Sequence, residues 1–311
     1  KKKEKKKERK KKKKKKRKKK NKTRSKKTLK KLHCNPSNKT ELIVPQSCLK
    51  KSTIYVVRDA FNEHYPEKAI KSTNPKTIWK ELNKKLDTCD REDCWFDLIE
   101  DEYLREDLKK QLFAPFQPDE WKSNPTTWLN NHDILKVLEQ YEDLHSDFKF
   151  IGPTPIDFNN TPLYYYGKCV CQELCKMNVD KYVTEGINNV GIVFNLDKHT
   201  SSGSHWVSLY IDLKSKDVYY FDSNGIKPPK EIEVLMNDLH KDKQFNMHIN
   251  EYEHQMQNTE CGMYSMFFII TMLTEKLGKK SKNRKDIFDH LQRVRVSDNK
   301  MKKLREKYFN K

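Results

Sequence analysis

The chain is expected to fold as an α+β domain preceded by a small helical segment and a disordered basic arm. Three observations predict this. Almost all net charge sits in the first 27 residues, amphipathic helical patterns follow, and from about residue 125 strand-like runs alternate with helices. Strands and helices that each bury one face must pack in layers, which gives the α+β class.

The arm KKKEKKKERKKKKKKKRKKKNKTRSKK (1–27) holds 22 Lys or Arg and 2 Glu, a net of +20 in a chain of +21. Positions 28–311 keep 43 basic and 42 acidic residues, so the remainder is balanced. A like-charged run without apolar residues repels itself and cannot bury a core, so 1–27 is expected to be disordered. Such an arm suits nuclear import or contact with DNA or RNA; a solubilising tail explains it equally well. No apolar stretch follows it, so no secretory signal is expected. The longest apolar region, 263–273, is interrupted by Ser265 and Thr271 and is too short to cross a bilayer. A soluble chain without membrane contact is expected. The chain does not begin with Met, so a natural start upstream is also expected.

In 28–120, TIWKELNKKL (77–86) and IEDEYLREDLKKQLF (99–113) space apolar residues three and four apart, as helices do. This region reads as a helical accessory domain with no assignable chemistry, and QPDEWKSNP (117–125) as a linker to a second domain over 121–311. There, TTWLNNHDILKVLEQYEDL (126–144) predicts a helix. GIVFNL (191–196), HWVSLYIDL (205–213) and DVYYFDS (217–223) predict strands. In the second, Val207, Leu209, Ile211 and Leu213 alternate with Trp206, Ser208, Tyr210 and Asp212, as in a sheet with one buried face. PPKEIEVLMNDLHK (228–241) predicts a helix opened by proline, and FNMHINEYEHQ (245–255) a returning strand. CGMYSMFFIITMLTEKL (261–277) is apolar nearly all round, hence a buried helix. The basic tail contains FDHLQRVRV and MKKLREKYF and is expected to pack.

Eight cysteines stand at 34, 48, 89, 94, 169, 171, 175 and 261. Without a signal peptide they are expected as reduced thiols. KCVCQELC lacks the paired two-residue spacing of a zinc site and a nearby fourth ligand, and TCDREDCW reads likewise. Neither a metal nor a cofactor is expected.

Cys261 differs from the others. Asn258 and Thr259 are good helix caps, which places Cys261 in the first turn of the apolar helix. The positive end of the helix dipole there favours a thiolate, the reactive form, whose usual partner is histidine. His205 opens a strand beside Trp206. If the two strands pair around a turn near 213–215, His205 falls opposite Asp222 or within about three places of it. Asn224 and Asp217 are weaker orienting candidates. Gln255, six residues before Cys261 at a strand end, can supply an oxyanion donor beside the Cys261 N–H, with Gln257 its local rival. Gly262 leaves space for a substrate carbonyl.

The order His-Trp, Asp, then Gln-x5-Cys-Gly resembles the ubiquitin-like-protein (SUMO) protease superfamily, which includes the adenovirus protease. WLNNHDI (128–134) is similar to that family's opening helix, with Asn131 at its usual Asp. YYFDSNG, HQMQNTECGMYS and RVRVSDNKMKKLREKYF look most like the thiol proteases of large DNA viruses, among them African swine fever virus and giant viruses. The likeness covers roughly 125–311.

The resemblance implies a papain-like cysteine protease core, a mixed sheet flanked by helices with the nucleophile at the start of a buried helix. It implies Cys261 as nucleophile, His205 as base, Asp222 as its orienter and Gln255 as oxyanion donor. It further implies that Trp128 and Trp206 wall a narrow tunnel for a substrate strand ending in glycine; without it, core packing is the preferred reading of both. The expected function is a cysteine endopeptidase acting on Gly-Gly or Ala-Gly sites in viral core or capsid precursors, in the virion or viral factory, with the arm admitting a nuclear location. The alternatives are a deconjugase for a ubiquitin-like protein, or a nucleic-acid-binding protein with structural Cys and His.

Overall fold

The computed structural model describes residues 29–38, 43–278 and 280–311; the arm 1–27 lies outside them. The chain divides into two units, one ending at Leu112 and one beginning at Phe113, with 33–38 belonging to the second. The sequence places this change at 120/121. It falls earlier because Phe113 and Trp121 are themselves buried, Trp121 in the core of the second unit with its ring edge-on to Phe309. The 117–125 segment is therefore packed, and its Asp119–Lys122 turn of 3-10 helix seats Trp121.

The first unit is helical: α1 (Lys51–His64), α2 (Pro75–Lys85) and α3 (Glu102–Leu112). The α2 N-cap Asn74 accepts the Thr77 N–H, with Pro75 at the first helical position. Ile54, Val57, Phe61, Ile78, Leu82, Trp95 and Phe96 are buried. Cys89 and Cys94 are disulfide-bonded, a correction to the expected free thiols; five residues apart, they bring their Cα atoms to 5.7 Å.

In the second unit α4 (Asn131–Leu144) begins with a reciprocal capping box between Asn130 and Asp133. Then β1 (Phe148–Pro155), which the sequence reading does not include, enters the sheet through Phe148 and Phe150. Two short helices, α5 (Gln172–Cys175) and α6 (Val179–Thr184), lead to β2 (Asn189–Asn195), β3 (Trp206–Asp212) and β4 (Asp217–Phe221). After α7 (Lys230–Lys243) comes β5 (Asn246–Ile249). The order is β1-β2-β3-β4-β5, parallel at both edges and antiparallel in the middle. The last helices are α8 (Cys261–Thr274), α9 (Arg284–Leu291) and α10 (Asp298–Tyr308).

Every residue of β3 is buried, so the sheet has two covered faces, where the alternation suggests one. Trp206 and Tyr210 pack with α4, α8, α9 and α10, while Val207, Leu209 and Ile211 pack with α7. Aromatic and small polar side chains on the α8 side mimic a solvent-facing pattern. Asp212 at its end is neutralised by Arg284 rather than by water. Gly191 lets α8 approach: a Cβ there would meet Ile269 and Phe148 at 2.9 Å. The tail packs through Ile287, Phe288, Leu291, Met301 and Tyr308. Cys169 and Cys175 also form a disulfide, whereas Cys171 and Cys261 are free. Among the described residues no group of three or more His, Cys, Asp or Glu side chains is arranged to hold a metal. No described helix is long and apolar enough to cross a membrane.

Candidate active site

Residues 261–273 of α8 are all buried, which follows from an apolar sequence on every face. Cys261 is the first helical residue and 1 % exposed. The first N–H groups of a helix have no intrahelical acceptor, so they and the positive dipole end gather around this thiol. The expected caps Asn258 and Thr259 do not occupy the N-cap. Glu260 does, without a side-chain cap, because its carboxylate is turned inward to Arg305.

The β3–β4 register sets Ser208 against Phe221, which puts Asp222 level with Val207 and two places from His205. Their side chains meet: His205 Nε2 and Asp222 Oδ1 are 2.7 Å apart. A carboxylate only accepts, so Nε2 carries the proton and Nδ1 is the basic nitrogen left for the thiol. The Cys261 side chain is close enough to act on this ring as well, favouring its cation. Burial disfavours the imidazolium, but the bonds and charges of Asp222 and Cys261 outweigh burial and push the His205 pKa up to about 9. Of the rival orienters, Asp217 is bound to His248 at 2.9 Å. Asn224 helps through its backbone, its N–H donating to Asp222 Oδ1 at 2.8 Å.

Gln255 lies in a loop, not at a strand end, since β5 stops at Ile249. It is buried all the same. Its N–H donates to the Ser223 carbonyl at 2.9 Å, and the Ser223 hydroxyl donates to Gln255 Oε1 at 2.8 Å. With Oε1 so engaged, the amide NH2 is the end left to donate to a substrate oxygen. Ser223 was not singled out by the sequence, although it directly follows Asp222. The rival Gln257 accepts from Lys302. Behind Gln255, His254 is fully buried and accepts the Val296 N–H on Nδ1 at 3.0 Å. Burial lowers its pKa to about 4, so it stays neutral.

Trp128 is 40 % exposed and its indole N–H donates to the Asn258 carbonyl at 2.7 Å. Trp206 is 5 % exposed and donates to the Leu129 carbonyl at 3.1 Å. Gly262 offers no free space: a Cβ would lie 3.1 Å from Leu129 and 3.3 Å from Trp206. Its glycine lets α8 press against those two residues. Cys261, His205 and Asp222 thus form one contact chain. Gln255 is anchored to Ser223, next to Asp222, Trp128 to Asn258, three residues before Cys261, and Trp206, next to His205, to Leu129. Such a set can run nucleophilic acyl transfer: an activated thiol, an oriented base, and donors for an oxyanion.

Residues 187–311 match the model of the Ulp1 protease family, C-terminal catalytic domain. A protein of Acanthamoeba polyphaga mimivirus, named as a thiol protease, is 37% identical over 172 residues, 52% of this chain and 53% of that protein. The chain therefore spans about half of that relative's length. A SUMO-1 cysteine protease of African swine fever virus (isolate Pig/Kenya/KEN-50/1950) is 27% identical over 218 residues, 65% of this chain and 75% of the viral protein. The crystal structure of an African swine fever virus protease has the same fold, with a TM-score of 0.59 at 20% identity over 91% of this chain and 97% of that one.

Proposed function

We propose that the chain, whose residues 187–311 match the Ulp1 protease family model, is a cysteine endopeptidase that cleaves after a small residue, at Gly-Gly or Ala-Gly sites. The observation that carries this reading is the contact chain from Cys261 through His205 to Asp222 at the mouth of the buried helix. The Cys261 thiolate adds to the scissile carbonyl while the Gln255 amide and the Cys261 N–H take up the oxyanion charge. His205 Nδ1–H then protonates the departing amine as the C–N bond breaks, leaving a thioester. Water, deprotonated by His205, hydrolyses it and restores the thiol. Asp222 holds the ring and stabilises its cation without taking the proton. Trp128 forms the exposed wall of the substrate strand's path and Trp206 its floor, which leaves little room beyond glycine or alanine before the cut bond.

Core or capsid precursors of a large DNA virus, in the virion or viral factory, are the substrates we propose; the relatives support the viral setting alone. A second reading, deconjugation of a ubiquitin-like protein, is favoured by the name of the African swine fever virus relative. A panel of Gly-Gly-x and Ala-Gly-x peptides beside ubiquitin-like fusions, with wild type and Cys261→Ala, tests both. Cleavage of the peptides by wild type alone is the expected result. Cleavage of the fusions only selects deconjugation, and no cleavage of either removes the protease reading.

A further inference from the structure

Directly behind the nucleophile lies a pair of charges that the proposed chemistry does not use. Glu260, the residue before Cys261, is 0% exposed and Arg305 of α10 is 5% exposed. Arg305 Nε donates to Glu260 Oε2 at 3.2 Å. Its Nη1 donates to the Thr127 carbonyl at 2.7 Å and to that of Pro125 at 3.3 Å. The guanidinium lies 4.5 Å over the Trp121 ring. Trp128, next after Thr127, returns to Asn258, two residues before Glu260. These contacts close a ring: Glu260, Arg305, Thr127, Trp128, Asn258 and back along the chain to Glu260.

A buried ion pair adds little net stability over apolar residues of the same volume, because both charges must leave water. Its position is therefore what needs explaining. We infer that Arg305 is a positioning residue, which through Glu260 and the Thr127 carbonyl clamps the nucleophile turn to the Trp128 loop and balances the charge behind Cys261. The inference rests on Cys261 being the nucleophile.

Charge balance gives it a distinctive sign. Glu260 occupies the N-cap, where an unpaired carboxylate would oppose a thiolate one residue away. Arg305 cancels that charge. The other groups facing the pair are Asp133 from the first turn of α4, Lys302 from α10 and Cys261 itself; Cys261 also faces His205, backed by Asp222. None of these side chains is replaced in the Glu260 and Arg305 variants, although Arg305 helps to hold the Asp133 carboxyl down and its loss lets that group rise further. Removing only the anion leaves a cation beside the thiol, and removing only the cation leaves an anion, so the two changes must act in opposite directions.

The test is the pH dependence of Cys261 alkylation by iodoacetamide on the full chain, with the labelled residue mapped by mass spectrometry. Glu260→Gln should move the midpoint to lower pH by roughly half a unit or more, and Arg305→Gln to higher pH by a similar amount. Arg305→Lys should restore part of the shift. A purely structural pair would move both variants the same way or neither, and that result overturns the inference. Should Arg305→Gln fail to fold, Glu260→Gln still decides, since its side chain matches in shape and keeps an acceptor for Arg305. Failure of the protease reading looks different: wild-type Cys261 would not label below the pH at which a free thiol does.

Discussion

His205 and Asp222, seventeen residues apart, are joined at 2.7 Å between Nε2 and Oδ1 because the β3–β4 hairpin brings them within two places of each other. The same Oδ1 accepts the Asn224 N–H. Asparagine at 222 can keep both contacts through its carbonyl oxygen while losing the charge. His205→Ala is therefore expected to lower kcat/KM by roughly 10²- to 10⁴-fold, whereas Asp222→Asn retains measurable activity clearly above it. Steady-state kinetics on a Gly-Gly-x peptide check this; equal losses would show that Asp222 does more than orient.

The pH profile has a defined alkaline side. The His205 pKa is raised to about 9, so its cation persists above the ordinary imidazole range and is lost as pH rises through about 9. Its contribution to stability is complete below the unfolded value, near 6.5, and disappears over the same window. The alkaline limb of kcat/KM should fall near pH 9, and Asp222→Asn should move it to lower pH.

His254 sets the opposite limb of stability. Its pKa is depressed to about 4, so the folded state holds it neutral. That contribution is present above about pH 6.5 and is lost as pH falls towards 4. Tm should decline across this window, and His254→Asn, whose carbonyl can accept the Val296 N–H in place of Nδ1, should flatten the decline.

Gly262 is a packing residue. Its missing Cβ lets Leu129 and Trp206 approach to about van der Waals distance. Gly262→Ala should destabilise by about 1–3 kcal/mol, as overpacked cores do, and should reduce activity by displacing Cys261. Denaturant melts beside kinetics check both effects.

The two tryptophans should separate. Trp206 is almost wholly buried, and Trp206→Ala is expected to lose about 3–5 kcal/mol of stability. Trp128 is exposed, so Trp128→Ala should melt close to wild type while accepting larger residues before the cut bond. A profile of Gly, Ala, Leu and Phe peptides reads that preference.

Much of the site was legible because its chemistry lies in short words at strand and helix starts. The apolar run after Cys261 announces a buried helix, and the alternation in 205–213 announces the strand that carries His205. Register was open to within three places, since it depends on a turn whose length the pattern does not set. Gln255 was legible as a donor but its anchor was not: Ser223 is 32 residues away and reaches it only through the loop after β5. Glu260 and Arg305 were invisible for the same reason, being brought together by the packing of α10 on α8 across 45 residues. Trp121 read as linker because its neighbours are polar, and its ring partners Phe309 and Arg305 come from far along the chain. β1 escaped because Gly and Pro break its pattern after Ile151.

The most direct test of Cys261 as an activated nucleophile is the site labelled by a Gly-Gly peptide bearing a C-terminal electrophile, read by mass spectrometry alongside residual activity. One equivalent on Cys261, with activity lost in proportion and no labelling of Cys261→Ala, is the predicted result. Labelling of Cys171 instead, or peptide cleavage by Cys261→Ala at the wild-type rate, would contradict it.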